Sequence, residues 1–327
     1  MKRIWTMLLA MIAAIGAIGC GSNNTADENK VVIYSSVEEY RNEYIQKRLN
    51  EQFPEYNVVI EYMPSGNQVA KLLAEGKDSP CDIAYDIEYG YVAQLGDVLA
   101  DLSDYDMSIY LDEVVDPGGY ILPHVRNGGC IAINRKLLEE KNLAVPTSYA
   151  DLLKPEYKGL VSMPNPKSSG TGYMFLKSLV NAWGEEEAFA YFDQLAENIL
   201  QFTSSGSGPV NALVQGEAAI GLAMTAQTVT EINKGADLEI LFFEEGSPYS
   251  VYGMGIVEGK QDRKCVQDVF RFFYTDLIKE DKQLYFPEQI YKDLTFEIEN
   301  YPSDIKYADM SNNTNEEKER LLEKWNH

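Results

Sequence analysis

The chain has 327 residues, 45% of them hydrophobic, and a formal charge of −23. That length and apolar content suffice for one large domain or for two lobes of ~100–150 residues each. The acidic balance, with no Lys/Arg cluster, excludes a polyanionic partner such as nucleic acid, which needs a basic face; a small anion is not excluded, because local donors outweigh distant screened charge.

Met1-Lys2-Arg3 is followed by an uncharged apolar run over 4–19, a pattern that predicts an export signal and is too short for a spanning helix of roughly 20 apolar residues. The tetrapeptide Ala17-Ile18-Gly19-Cys20 is similar to the bacterial lipobox, with Ala17 where leucine is usual. Cys20 is therefore the expected site of lipidation. Residues 1–19 are expected as signal peptide and 20–30, which are polar from Gly21, as a tether. Loss of Lys2 and Arg3 removes two positive charges and takes −23 to −25. Cys81, Cys130 and Cys265 remain, an odd number at wide spacing, which implies neither a disulfide framework nor a zinc site. With only His124 and His327 present, no metal centre, cofactor or Ser-His-Asp triad is expected.

Folded sequence is expected from Val31. Val31-Val32-Ile33-Tyr34 predicts a strand, Tyr40, Tyr44, Ile45, Leu49 and Phe53 a helix, 57–62 a strand, 68–75 a helix and 81–85 a third strand. This alternation predicts a parallel α/β sheet. A turn cluster at Asp116-Pro117-Gly118-Gly119 precedes a strand at 129–133 and a helix at 135–141. The order repeats with a strand at 159–163, helices at 172–183 and 185–197, and a strand at 218–223. Strands at 238–243 and 251–257 and an apolar helix at 265–278 return the chain to its first unit. Expected boundaries are thus 31–122 for the first part of lobe 1, 123–237 for lobe 2, and 238–327 for the return to lobe 1 with C-terminal helices. The charged tail from Asn312 is read as a solvated face.

Asn165-Pro166-Lys167-Ser168-Ser169-Gly170-Thr171-Gly172 lies between a predicted strand and a predicted helix. Such a loop can cradle an anion through unpaired N–H groups, hydroxyls and the helix dipole, with glycines allowing close approach; Ser169 or Thr171 could equally cap the helix. Thr203-Ser204-Ser205-Gly206-Ser207-Gly208-Pro209 repeats the pattern. Ser168, Ser169, Gly170, Thr171, Ser205 and Ser207 are accordingly candidate anion ligands. Asp86 and Glu88, with Tyr89 and Tyr91, are expected in the loop after the third strand, where carboxylates and aromatic rings suit an ammonium. The alternative there is a solvated acidic loop. Ser35 and Ser36 could donate from the opposite wall, or Ser36 could form a capping box with Glu39. Tyr252 and the segment Met224-Thr225-Ala226-Gln227 border late strands, and Thr225 and Tyr252 complete the candidate set.

These segments together resemble the bacterial extracellular solute-binding proteins of the ferric, polyamine, sugar-phosphate and aminoethylphosphonate importer group. The resemblance rests on Val31-Val32-Ile33-Tyr34-Ser35-Ser36, on Cys81-Asp82-Ile83-Ala84-Tyr85, and on Ser205-Gly206-Ser207 leading into Val214-Gln215-Gly216-Glu217-Ala218-Ala219-Ile220-Gly221. It implies an α/β, two-lobed type II periplasmic-binding-protein-like fold with a hinge and a cleft. It further implies a monomeric, non-enzymatic, lipid-anchored protein on the extracellular face of the membrane, or in a periplasm, whose partner is an ABC importer permease. Iron binders of the group carry adjacent tyrosines where Met224-Thr225-Ala226-Gln227 stands, which argues against ferric iron. The retained Ser/Thr/Gly loops imply an organic phosphate or phosphonate, with aminoethylphosphonate the leading candidate, or a sugar phosphate, and a polyamine, thiamine or ferric iron the alternatives. A secreted hydrolase using Asp86 and Glu88 is the competing class.

Overall fold

The computed structural model describes residues 28–327, so the expected signal peptide and the Cys20 lipidation site lie outside the described residues. Strand β1 (Lys30–Ser35) is buried on both faces along its Val-Val-Ile-Tyr run and pairs in parallel with β2 (Asn57–Tyr62) and β3 (Ile83–Glu88). Helices α1 (Glu39–Gln52) and α2 (Ser65–Glu75) make the crossovers. Ile45 and Leu49 of α1 join a core on one face of the sheet, and Val69 and Leu72 of α2 join a core on the other. This is the arrangement that parallel strands, being hydrophobic throughout, require.

Two antiparallel strands carry the chain between sheets. β4 (Leu122–Ile133) pairs over Leu122–Gly128 with β9 (Tyr249–Ile256), which itself pairs with β3. From Gly129 onward β4 pairs instead with β7 (Ile220–Met224) and β8 (Glu239–Leu241). β7 continues in parallel to β5 (Val161–Pro164), and β5 to β6 (Ile199–Thr203). The full order is β2-β1-β3-β9-β4-β7-β5-β6, with β8 beside β4. The second half is covered by helices α5 (Gly170–Trp183), α6 (Glu185–Leu195), α7 (Gly208–Val214) and α8 (Thr225–Asn233); α3 (Val92–Leu95) and α4 (Arg135–Glu140) are short connectors. After β9, α9 (Lys264–Phe272) packs Val266, Val269 and Phe270 into the first core, and a π-helical turn leads into α10 (Ile278–Leu284). The last helix is α11 (Asn315–Lys324).

The switch between sheets occurs at Gly128-Gly129. The Gly128 N–H donates to Glu288 Oε1 at 3.0 Å, and the Gly129 carbonyl accepts from the Ser247 hydroxyl at 2.7 Å. A Cβ on Gly128 would lie 2.8 Å from that carboxylate, and one on Gly129 2.9 Å from Pro248, so both positions need glycine for close approach. Glu288 also accepts from the Tyr301 and Tyr307 hydroxyls, and its burial raises the carboxyl above its ordinary value. The strand pairing therefore changes at 128–129 and again at 248–249. β8, expected to begin the return, stays with the second sheet.

A second correction concerns the tail. Leu321 and Trp325 are buried in the second core, and Arg320 and Lys324 reach Glu185 of α6. The C-terminal helix is thus part of the second lobe and not a wholly solvated face.

Candidate functional site

A cleft of about 840 Å³ opens between the two halves of the sheet and is lined from both. Of the expected residues, Ser36, Asp86, Glu88, Ser168, Ser169, Gly170, Thr171, Ser205, Ser207 and Tyr252 line it. Ser35 and Thr225 do not: both are fully buried, and the Ser35 hydroxyl donates to Asn42 Oδ1 at 2.8 Å behind the wall. A larger hollow of about 1100 Å³ follows the outer side of α1 but is walled almost wholly by α1 and the β2 edge, without contributions from the second lobe.

The first-lobe wall is built by bulges. Asp86 and Glu88 belong to β3 itself, which runs past the expected strand end at 85. Pairing with β9 slips between Tyr85 and Ile87, and pairing of β4 with β9 slips between Pro123 and Val125. The two skipped residues, Asp86 and His124, meet across β9: His124 Nε2 lies 2.9 Å from Asp86 Oδ1, and the imidazole stacks on Tyr85. Asp86 has φ +67°, a left-handed conformation of the kind a bulge can impose. Its other oxygen accepts from the Ser36 hydroxyl at 2.7 Å, so Ser36 forms no capping box and Glu38 holds the N-cap position of α1. Burial alone would raise the Asp86 carboxyl, but the His124 bond, the Arg41 charge and the Ser36 hydroxyl hold it below its ordinary value.

Glu88 is also buried and also paired. Lys318 of α11 donates to its Oε2 at 2.9 Å, and the Ser250 hydroxyl donates to its Oε1 at 3.3 Å. Burial opposes the Lys318 charge, yet Glu88 and Tyr91 outweigh it and hold the ammonium above the ordinary lysine value. Neither carboxylate is the solvated acidic loop considered from sequence.

Arg41, not singled out in the sequence, lines the same wall and is clamped by Asp281 of α10 through two bonds of 2.8 Å. Tyr252 stands between Glu88 and Val125 in strand register; burial and the nearby Glu88 push its phenol far up, so it stays neutral.

The second-lobe wall is the pair of serine loops. Ser169 is the N-cap residue of α5 but makes no side-chain capping bond, and no hydrogen bond of the Ser169 or Thr171 hydroxyl occurs among the described residues. The loops converge: a Cβ on Gly206 would run into the Thr171 hydroxyl and lie 3.0 Å from Met224 Sδ. The Ser205 and Ser207 hydroxyls bond each other at 2.8 Å. α5 begins against the opposite wall, where a Cβ on Gly170 would sit 3.6 Å from the Tyr252 hydroxyl and 3.9 Å from Glu88 Oε2.

Charge in the cleft is balanced although the chain is strongly acidic: Arg41, Lys167, Lys234 and Lys318 face Glu38, Asp86, Glu88 and Glu231. Each of these carboxylates already has a partner, in Arg41, His124, Lys318 and Lys234 respectively. Lys167, on the first serine loop, has no ion-pair partner among the described residues. Arg41 is shared between Asp281 and Glu38, while Lys167 stands beside the uncommitted hydroxyls of the first serine loop. Of the residues missed from sequence, Lys318 had a local signal: Lys318, Leu321 and Trp325 fall at i, i+3 and i+7, one face of a helix.

A family model described as bacterial extracellular solute-binding protein matches residues 83–313. The Escherichia coli spermidine/putrescine-binding periplasmic protein is 23% identical over 83% of this chain and 80% of its own. The Actinobacillus pleuropneumoniae periplasmic binding protein AfuA, solved with exogenous fructose-6-phosphate bound, is 25% identical with a TM-score of 0.78, covering 90% of this chain and 97% of its own. Iron-bound HitA from Pseudomonas aeruginosa is 18% identical with a TM-score of 0.76 over 90% and 98% of the two chains. With a cleft lined from both lobes and a family match over most of its length, the chain belongs to the bacterial extracellular solute-binding proteins, the non-enzymatic components of ABC importers that bind a small solute and deliver it to the permease.

Proposed function

We propose that the protein, held at the outer face of the membrane through a lipidated Cys20, captures a small phosphorylated polyol such as a sugar phosphate. The phosphate is received by the serine loops of the second lobe, where α5 presents its N-terminal N–H groups and dipole with the hydroxyls of Ser169 and Thr171 and the ammonium of Lys167. The hydroxylated end faces Ser36, Asp86 and Tyr252. Contacts from both lobes are what lets a solute favour the closed state.

The observation that carries this reading is the first serine loop: among the described residues Lys167 has no ion pair and the Ser169 and Thr171 hydroxyls no hydrogen bond, whereas Asp86 and Glu88 are held by His124 and Lys318. It favours a sugar phosphate over aminoethylphosphonate, whose amine needs an unpaired carboxylate, and over a polyamine. A ferric site built on adjacent tyrosines is disfavoured by Met224-Thr225-Ala226-Gln227 at the end of β7 and by Tyr249 lying against Arg126, its ring centroid 4.9 Å from the guanidinium. The likeness to the fructose-6-phosphate-bound protein supports the same class.

Ser169→Ala and Thr171→Val remove one donor each. Each is expected to weaken fructose-6-phosphate binding by about 1.5–3 kcal/mol in calorimetric titration. Unchanged affinity in the double variant would remove the phosphate from this loop. Cys20→Ser should release the protein from the cell surface into the medium or periplasm, and its retention on the membrane would reject the anchor.

A further inference from the structure

Lys318 occupies a receptor that the rest of the chain builds for an ammonium group. Its Nζ is 2.9 Å from Glu88 Oε2 and 3.3 Å from the Tyr91 hydroxyl, with the ring centroids of Tyr91 and Tyr173 at 4.5 and 5.0 Å. A buried carboxylate flanked by two aromatic faces is the chemistry that selects a primary amine. The receptor is assembled from both lobes: Glu88 and Tyr91 come from β3 and the turn after it, Tyr173 from α5, and the lysine from α11. The pocket lies on the cleft, not behind it, since Glu88, Tyr91 and Lys318 all line the cavity.

We propose that Lys318 is a specificity-determining residue: as a tethered ammonium it fills a primary-amine receptor in the cleft and so excludes amine-bearing solutes. Tethering is the physical basis of the exclusion. An intramolecular cation competes at an effective concentration in the millimolar range or above and loses little translational freedom on binding, so a free alkylammonium cannot displace it. Truncating the side chain would leave Glu88 buried without a cation, which is costly, and would open a hole of the length of a short alkyl chain ending at that carboxylate. The inference does not depend on the phosphate reading, because the receptor and the serine loops are different groups.

The test is Lys318→Ala titrated with n-propylammonium, followed by calorimetry and by thermal melting, with fructose-6-phosphate titrated separately so that failure of one reading leaves the other standing. The variant is expected to bind n-propylammonium about 10- to 100-fold more tightly than the unsubstituted protein. The amine should raise its melting temperature while leaving that of the parent unchanged, and adding Glu88→Gln should abolish the gain. Lys318→Met, which fills the hole without a charge, should gain nothing. The proposal is overturned if Lys318→Ala shows no stabilisation and no tighter binding by n-propylammonium, or if the gain survives Glu88→Gln.

Discussion

Gly172→Ala is expected to weaken sugar-phosphate binding by about 100-fold, the scale of two lost charge-assisted hydrogen bonds, while the protein still unfolds cooperatively. Gly172 is the third residue of α5, and a Cβ there would collide with the Pro164 carbonyl and lie 2.8 Å from both the Asn165 carbonyl carbon and the Pro166 nitrogen. These are backbone atoms at the end of β5, so no rotamer change relieves the contact. The relief must come from the loop that carries Lys167, Ser168 and Ser169, which moves away from the start of α5. Circular dichroism with a titration separates the outcomes: a folded variant of unaltered affinity would mean that this loop does not position the ligand.

Arg41→Met is expected to lower the free energy of unfolding by about 3–5 kcal/mol, because it strands Asp281, itself buried, without its cation. The guanidinium joins α1 to α10 through both of its bonds to Asp281, adds Glu38 at 3.0 Å, and lies 4.5 Å from the centroid of the Phe286 ring. Lysine would not reproduce a two-pronged contact of this shape. Adding Asp281→Leu should recover most of the loss, since an apolar pair leaves no uncompensated charge. Urea denaturation with an unchanged m-value would assign the change to stability. A double variant no more stable than Arg41→Met would show that the loss has another origin.

The parts of the site that were legible in the sequence are those whose chemistry is local. The two serine loops announce themselves by composition between a strand and a helix, and ten of the twelve expected ligand-binding residues line the cleft. The strand runs at 31–34 and 57–62 were legible because β-branched residues occupy both faces. What escaped was non-local. The first half of β4 holds Pro123, His124, Arg126 and Asn127, which break the apolar pattern because His124 and Arg126 are buried against partners distant in sequence, Asp86 and the Tyr249 and Tyr307 rings. β6 is an edge strand, half exposed, and lacks the apolar run of a central strand. Asp86 and Glu88 were expected to be free for a ligand amine, but their partners lie 38 and 230 residues away, beyond the reach of any spacing rule.

The most direct test of the account is calorimetric titration of the protein lacking residues 1–20 with a matched set: fructose-6-phosphate, fructose, inorganic phosphate and spermidine. The expected result is stoichiometric binding of the phosphate ester, far weaker binding of inorganic phosphate, and none of fructose or spermidine. Equal affinity for fructose and its phosphate, or spermidine as the tightest ligand, would contradict a phosphate site on the serine loops.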